Sequence, residues 1–411
     1  MKNLLLGVLA LLPFFVHCEE KESKDVKQQL AQLITDHNQF AISLYSQLNT
    51  DDSNVIFSPY SIATCMGMTY VGAREDTAQE MLTALQLNLS PKEIAAPSAL
   101  LNEMLMPSDN QGKNYELTLA NSMWLDIKKF VLSDFRYAME QQFKAKIGVV
   151  NFAEPDQALS MINNWIADKT HDHIKNLFLQ GDITSSTALV LANAAYFKGT
   201  FINAFNVKMT QEGSFHPTLD TTATVNMMEQ TAFLPFLDKE LIQAVALPFN
   251  GRTKGGGNLA LLILLPKSAE NFSEVVNTAS DSFPEWVSSL QQQRVHVKLP
   301  KFILSKRYDL GKPLQELGMQ VPFTTQANFS GIDGLMDLYL SKVVHEAYFA
   351  LDEFGVTAAA ATGAAFNLTA VPNKEPPAEL IADHPFLFFI VDLKSKEVLF
   401  MGKFAEPSNA L

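Results

Sequence analysis

The stretch that most constrains this 411-residue chain runs from Gly355 to Lys374. Its first half reads Gly-Val-Thr-Ala-Ala-Ala-Ala-Thr-Gly-Ala-Ala, with only small side chains, and Pro372, Pro376 and Pro377 stand shortly after it. Those prolines favour extended, unpaired backbone. Loops of this length inside compact domains are uncommon, and they are usually functional or disordered. The alanines by themselves prefer helix, yet they come after Leu338 to Leu351, whose apolar and β-branched content reads as a strand. Local preference and neighbouring structure therefore conflict. Alanine and threonine can also enter between two strands of an existing sheet without burying charge, and both strand edges then gain hydrogen bonds. A loop able to do this stores free energy until it is released.

The rest of the chain supplies a large core for such a sheet. Hydrophobic residues make up 47% of the sequence, which excludes disorder as the main state. A net charge of −13 argues against nucleic acids, anionic membranes and polyanions as partners. Met1-Lys2-Asn3 followed by the apolar run Leu4 to Val16 has the charged start and short apolar centre of a secretory signal peptide, with cleavage expected after Cys18. Lipidation of Cys18 is disfavoured, because His17 stands where a lipoprotein signal needs a small residue. Cys65 is then the only thiol, and its apolar surroundings read as a core side chain. Packing must hold the fold, since no disulfide within the chain is available.

Helical periodicity runs through Val26, Leu30, Leu33, His37, Phe40, Leu44 and Leu48 behind a cap at Ser23 or Asp25. Ser58-Pro59 caps an almost wholly apolar helix over Tyr60 to Val71. Further helices are expected at Thr77 to Leu87, Lys92 to Leu105, Asp134 to Phe143, Asp156 to Lys169 and Ala269 to Gln292. Strands are expected at Glu116 to Leu125, Thr187 to Phe197, Ala223 to Met228, Gln243 to Pro248, Asn258 to Leu265 and Val295 to Pro300. Pro385 to Leu393 and Val398 to Phe404 read as a buried hairpin. The mixture is α+β, and no linker or repeat divides it.

Glu353-Phe354-Gly355-Val356-Thr357-Ala358-Ala359-Ala360-Ala361-Thr362 resembles the hinge of an inhibitory serpin. Asn54 to Ile62 with Gly72-Ala73, Leu191-Ala192-Asn193 with Phe197-Lys198-Gly199, Leu299-Pro300-Lys301-Phe302, Tyr308-Asp309-Leu310, and the run from Asp383-His384-Pro385-Phe386 to Phe400-Met401-Gly402 resemble further motifs in that family's order. The resemblance implies one serpin-like α+β domain over residues 19–411, with a large central mixed sheet, additional sheets, about eight to nine helices and an exposed reactive loop near 353–380. By the same resemblance, Ser58, Ser61, Asn193 and His345 are shutter residues beneath the main sheet, and Phe201 stands where the family often has tryptophan.

The implied activity is suicide inhibition of a serine peptidase, with no catalytic group on the chain, no cofactor and no metal. The peptidase would attack the loop and be trapped as the cleaved loop enters the sheet. Counting from Glu353 at the family's usual spacing gives Thr369-Ala370 as the reactive bond, with Leu368-Thr369 as the alternative, whereas counting back from Pro385 lands near Lys374. Phe366-Asn367-Leu368-Thr369-Ala370-Val371 suits elastase-, subtilisin- or chymotrypsin-like enzymes, and Leu368 also suits papain-like cysteine peptidases. Val356 and Phe354 depart from the commoner residues of the hinge, so a non-inhibitory carrier, chaperone or storage role is the alternative.

A hydrolase is disfavoured by the absence of a Gly-x-Ser-x-Gly elbow and a His-Glu-x-x-His helix. His171-Asp172-His173 reads as an exposed helix end before it reads as a metal site. Lys92 alone supplies positive charge between Pro91 and Leu105, so no heparin site is expected, and the chain is expected to act as a monomer in the extracellular space. Sequons stand at Asn88, Asn271, Asn328 and Asn367.

Overall fold

Ser58 has an extended backbone, and its hydroxyl accepts the amide of Ser61, so the chain turns there into the helix Pro59–Gly72 with proline in the first turn. That helix is buried almost throughout, as its apolar composition requires. The computed structural model describes residues 12–108, 115–357 and 376–407, with residues 12–24 given by their backbone alone.

Nine α-helices occur among the described residues: α1 (Leu12–Leu48), α2 (Pro59–Gly72), α3 (Glu75–Ala84), α4 (Ala95–Leu105), α5 (Ser133–Tyr137), α6 (Pro155–Lys169), α7 (Phe272–Ser288), α8 (Gly311–Glu316) and α9 (Ser330–Asp333). They pack around two sheets in a single α+β domain. The six-stranded sheet has the order β10 (Phe302–Asp309), β11 (Leu340–Asp352), β12 (Gly355–Val356), β4 (Leu189–Thr200), β2 (Glu116–Asp126) and β3 (Lys146–Val150). It is mixed, because β11 pairs with β4 and β2 with β3 in parallel while β10–β11 and β2–β4 are antiparallel.

The nine-stranded sheet runs β1 (Val55–Phe57), β15 (Val398–Phe404), β14 (Phe386–Asp392), β8 (Leu259–Pro266), β7 (Ile242–Pro248), β6 (Thr221–Asp238), β9 (Gln291–Pro300) and β13 (Ala378–Ile381), with β5 (Gln211–Thr218) on β6. Its centre, β14 with β15 and β8, is buried on both faces. The hairpin read from Pro385 onward forms this core, closed at Lys394 to Lys396.

Alternation along β4 divides two cores. Leu189, Leu191, Ala195 and Phe197 face the main core, whereas Val190, Ala192 and Ala194 face a second cluster under α6 with Trp124, Ile162, Ile166 and Phe178. The six-stranded sheet is therefore covered on both sides, and the helix α6 with its exit, residues 170–188, lies across one of them.

Several expectations need correction. The helix expected from a cap at Ser23 or Asp25 has no cap there, since the chain is already helical at Leu12, the first described residue. Glu19 to Lys27 are mostly strong helix formers with no glycine or proline among them, so nothing stops the helix there. The helix expected to reach Gln292 ends at Ser288, and Gln291 to Gln293 open β9, paired with Phe236, Pro235 and Leu234 of β6. Glutamine favours helix weakly, and the β6 edge overrides it. β6 itself extends to Asp238, far beyond the expected end at Met228. The strands β1, β3, β5, β10 and β13 have short or polar sequences that gave no clear period.

Candidate functional site

Gly355 and Val356 carry the site, because they lie between two strands of the main sheet. Asp352 ends β11, and its Oδ1 accepts the amides of Phe354 at 2.8 Å and Gly355 at 3.2 Å, which turns the chain back on itself. β12 then pairs antiparallel with β11, Val356 opposite Leu351, and antiparallel with β4, Val356 opposite Gly199. Only glycine fits at 355: its φ is +150°, and a Cβ there would stand 2.0 Å from the carbonyl oxygen of Gly199. Below this point β11 and β4 pair directly, Tyr348 with Tyr196 and His345 with Asn193.

The turn is anchored on its other side by Glu353. Its carboxylate is buried, accepting Lys301 Nζ at 2.9 Å and Thr210 Oγ1 at 2.7 Å. Burial works to raise its pKa, yet Lys301 and Thr210 outweigh that and hold the carboxyl below its ordinary value. The carbonyls of Glu353 and Phe354 accept the amides of Phe205 and Phe201, each at 2.8 Å. Phe201 itself is buried and stacks on Phe249 at 5.2 Å, so an aromatic ring fills the place where tryptophan is common.

Thr357 breaks from this regularity. Its amide still reaches the carbonyl of Ala350, but its φ is +51°, and its buried Oγ1 has no hydrogen-bond partner. A left-handed backbone at a β-branched residue costs about 1–3 kcal/mol. Ala358, Ala359, Ala360, Ala361, Thr362, Leu368, Thr369 and Ala370, with Asn367, lie outside the described residues.

Ser58, Ser61, Asn193 and His345 come together in one buried network beneath the seam between β4 and β11. Nε2 of His345 accepts the amide of Ser58 at 3.0 Å, so its Nδ1 carries the hydrogen donated to Asn193 Oδ1. Nδ2 of Asn193 donates to Ser61 Oγ at 2.7 Å and to the Ser61 carbonyl at 2.9 Å, and Ser58 Oγ donates to the carbonyl of Leu399 at 2.6 Å. Burial drives the His345 pKa down to about 3, so the ring is neutral and works as a bridge between α2 and the two strands.

Asn121 belongs to the network and was missed from sequence. Its Oδ1 accepts Ser61 Oγ at 3.1 Å and also Asn193 Nδ2, its register partner across β2 and β4. The signal was available: Asn121 occupies the same alternating face as Leu117, Leu119, Met123 and Leu125, a polar residue on a core-facing row. Thr210 and Lys301, the partners of Glu353, had no comparable signal because they come from distant loops and strands.

Other candidates resolve differently. Cys65 is buried in α2, and burial pushes its thiol up to about 12, in keeping with a core side chain. His171 and Asp172 take left-handed backbone at the end of α6, with His171 Nε2 2.7 Å from Glu116 Oε1. No group of three or more His, Cys, Asp or Glu among the described residues is placed to hold a metal. Asn328 is buried, and its Nδ2 donates to Glu75 at 2.9 Å, which leaves no room for a glycan on that sequon.

Residues 35–407 match the family model described as serpin, serine protease inhibitor. This chain is a serpin. It is 34% identical over 390 residues to the leukocyte elastase inhibitor of Bos taurus, covering 92% of this chain and all of the relative. Among solved structures it resembles Serpin48 of the insect Tenebrio molitor, with a TM-score of 0.80 at 27% identity over 92% of this chain and 98% of that one. Human thyroxine-binding globulin is equally similar in fold, with a TM-score of 0.80 at 27% identity over 93% of this chain and all of that one. The serpin fold thus accounts for both sheets, and the relatives include proteins named for inhibition and for binding.

Proposed function

We propose that this serpin is a secreted suicide-substrate inhibitor of serine peptidases, released after removal of residues 1–18 and acting as a monomer without a cofactor. The observation that carries the reading is the position of Gly355 and Val356 between β11 and β4, each already paired to both strands. Continuing their register brings Ala358 between Phe349 and Phe197, Ala359 between Tyr348 and Tyr196, Ala360 between Ala347 and Ala195, and Thr362 between His345 and Asn193. The side chains brought to these rungs are all small, so the sheet can close around them without cavities or buried charge.

The peptidase supplies the chemistry. Its serine attacks the carbonyl of Thr369, the bond to Ala370 breaks, and the acyl-enzyme is carried along as residues 357 onward become a strand. Entry relaxes Thr357 to extended backbone and adds hydrogen bonds to β4 and β11, which distorts the peptidase before water can attack. Leu368-Thr369-Ala370 fits elastase-, subtilisin- or chymotrypsin-like enzymes, with papain-like cysteine peptidases as a further class.

Incubation with elastase, subtilisin, chymotrypsin, trypsin and papain tests this. A complex that survives a denaturing gel is expected, with a C-terminal fragment beginning at Ala370, or at Thr369 for a chymotrypsin-like enzyme. Cleavage by all five without a complex would turn the reading to a carrier or storage serpin.

A further inference from the structure

His173 lies across the seam that an entering strand must part. Its ring is stacked on Tyr196 of β4 at 4.7 Å and 18° and on Tyr348 of β11 at 4.9 Å and 29°, and those two tyrosines are register partners. The other groups facing it are His171, Lys198, Asp172 and Glu116. Partial burial first, and then His171 and Lys198, holds its pKa below the usual imidazole value, so the ring on the tyrosines is neutral. The backbone holds it there: the left-handed turn at His171 and Asp172 ends α6, and Ile174 beside it is buried in the cluster under that helix.

The rest of the α6–β4 connection is tied to the β11 side of the seam. Asp182 accepts Lys342 Nζ at 2.9 Å and also Arg307, which itself donates to the carbonyl of Leu177. Ala188 donates to Ser341 Oγ at 2.9 Å, and the next residue begins β4. His173 is thus the one ring of this segment in contact with both strands at a single rung, and the segment has little slack to move with them as they part.

Resting on the proposed insertion, we propose that His173 is a positioning residue that sets the rate of strand entry by clamping Tyr196 to Tyr348. Neighbouring strands lie about 4.8 Å apart, so a strand between β4 and β11 moves the two tyrosines apart by about that distance. A single imidazole cannot then cover both rings. One stacking contact at least must break before Ala359 reaches this rung, while the hydrogen bonds that replace it form only afterwards. The clamp therefore weighs on the barrier and not on the end state.

The test uses the full chain and a synthetic peptide with the sequence of residues 357–369, which would occupy the seam as the loop does. Its annealing can be monitored by tryptophan fluorescence, because Trp124 of β2 and Trp165 of α6 are edge-to-face at 6.0 Å in the cluster between that helix and the sheet. His173→Ala is expected to anneal about fivefold faster, the low end for losing two aromatic contacts, since the outer side of the ring is exposed. His173→Phe, which keeps a flat ring, is expected to restore the original rate. Should His173→Ala not fold, Tyr348→Leu removes one half of the clamp and should also accelerate entry. Equal rates in wild type and His173→Ala, or a fast His173→Phe, would overturn the clamp while leaving insertion standing. A peptide that anneals to none of them, with no rise in melting temperature, would overturn the insertion reading and the clamp with it.

Discussion

Acid should loosen the seam through His345, and its surroundings set the size of the effect. Nε2 accepts the amide of Ser58, so a proton added there would face an N–H in a fully buried site. The folded pKa of about 3 lies below the unfolded value of about 6.5. Between those values the unfolded chain binds the extra proton and the folded one does not, so stability falls as pH falls from about 6.5 and the loss is complete near 3. At pH 5 the gap of roughly 1.5 units corresponds to about 2 kcal/mol, and the full gap to about 5 kcal/mol. For a chain of 411 residues, an unfolding entropy of about 2.1 cal/mol/K per residue makes 2 kcal/mol equal to about 2–3 °C in melting temperature. His345→Gln keeps one acceptor and one donor but does not titrate. Its unfolding in urea and by heat, compared with wild type at pH 7.5 and pH 5, should show the wild-type advantage shrinking by about 2 kcal/mol and 2–3 °C. Parallel curves for the two proteins would refute the reasoning.

Two further perturbations probe the hinge. Gly355→Ala places a methyl group 2.0 Å from the Gly199 carbonyl and should cost about 1–3 kcal/mol in unfolding experiments, with β12 displaced from the seam. Ala360→Arg should leave the melting temperature of the uncleaved protein unchanged. On the proposed insertion, the register of β12 would carry residue 360 to the core-facing row between Ala347 and Ala195, and burying a guanidinium there should leave a substrate in place of an inhibitor, seen on a gel as cleaved chain without complex.

Much of this was legible in sequence where side-chain size alone sets the answer. The small-residue run after Leu351 announces a segment that can lie in a sheet, and Ser58-Pro59 announces the start of a buried helix. The polar network was legible only in part. Ser58, Ser61, Asn193 and His345 came from likeness to a family, whereas Asn121 could have come from alternation along β2. What stayed hidden depends on contacts between distant parts of the chain. The glutamines at 291 to 293 become strand because β6 offers them an edge, and Glu353 is held by Thr210 and Lys301, which no local pattern connects to it. His173 looked like the end of an exposed helix, and so it is; the two tyrosines beneath it are visible only once β4 and β11 are paired in register.

β12 has only two residues, yet on the proposed insertion it changes what kind of process loop entry is. A strand joining a sheet ordinarily begins with an unfavourable search for register, in which several dihedrals are fixed before the first rungs reward them. Here the first rungs exist before any peptidase arrives, so entry is propagation from a seed, one residue pair at a time, beginning with the release of Thr357. Lengthening or shortening the far end of the loop, beyond residue 370, should therefore alter which enzyme is caught and where it comes to rest. The onset of entry should be indifferent to it.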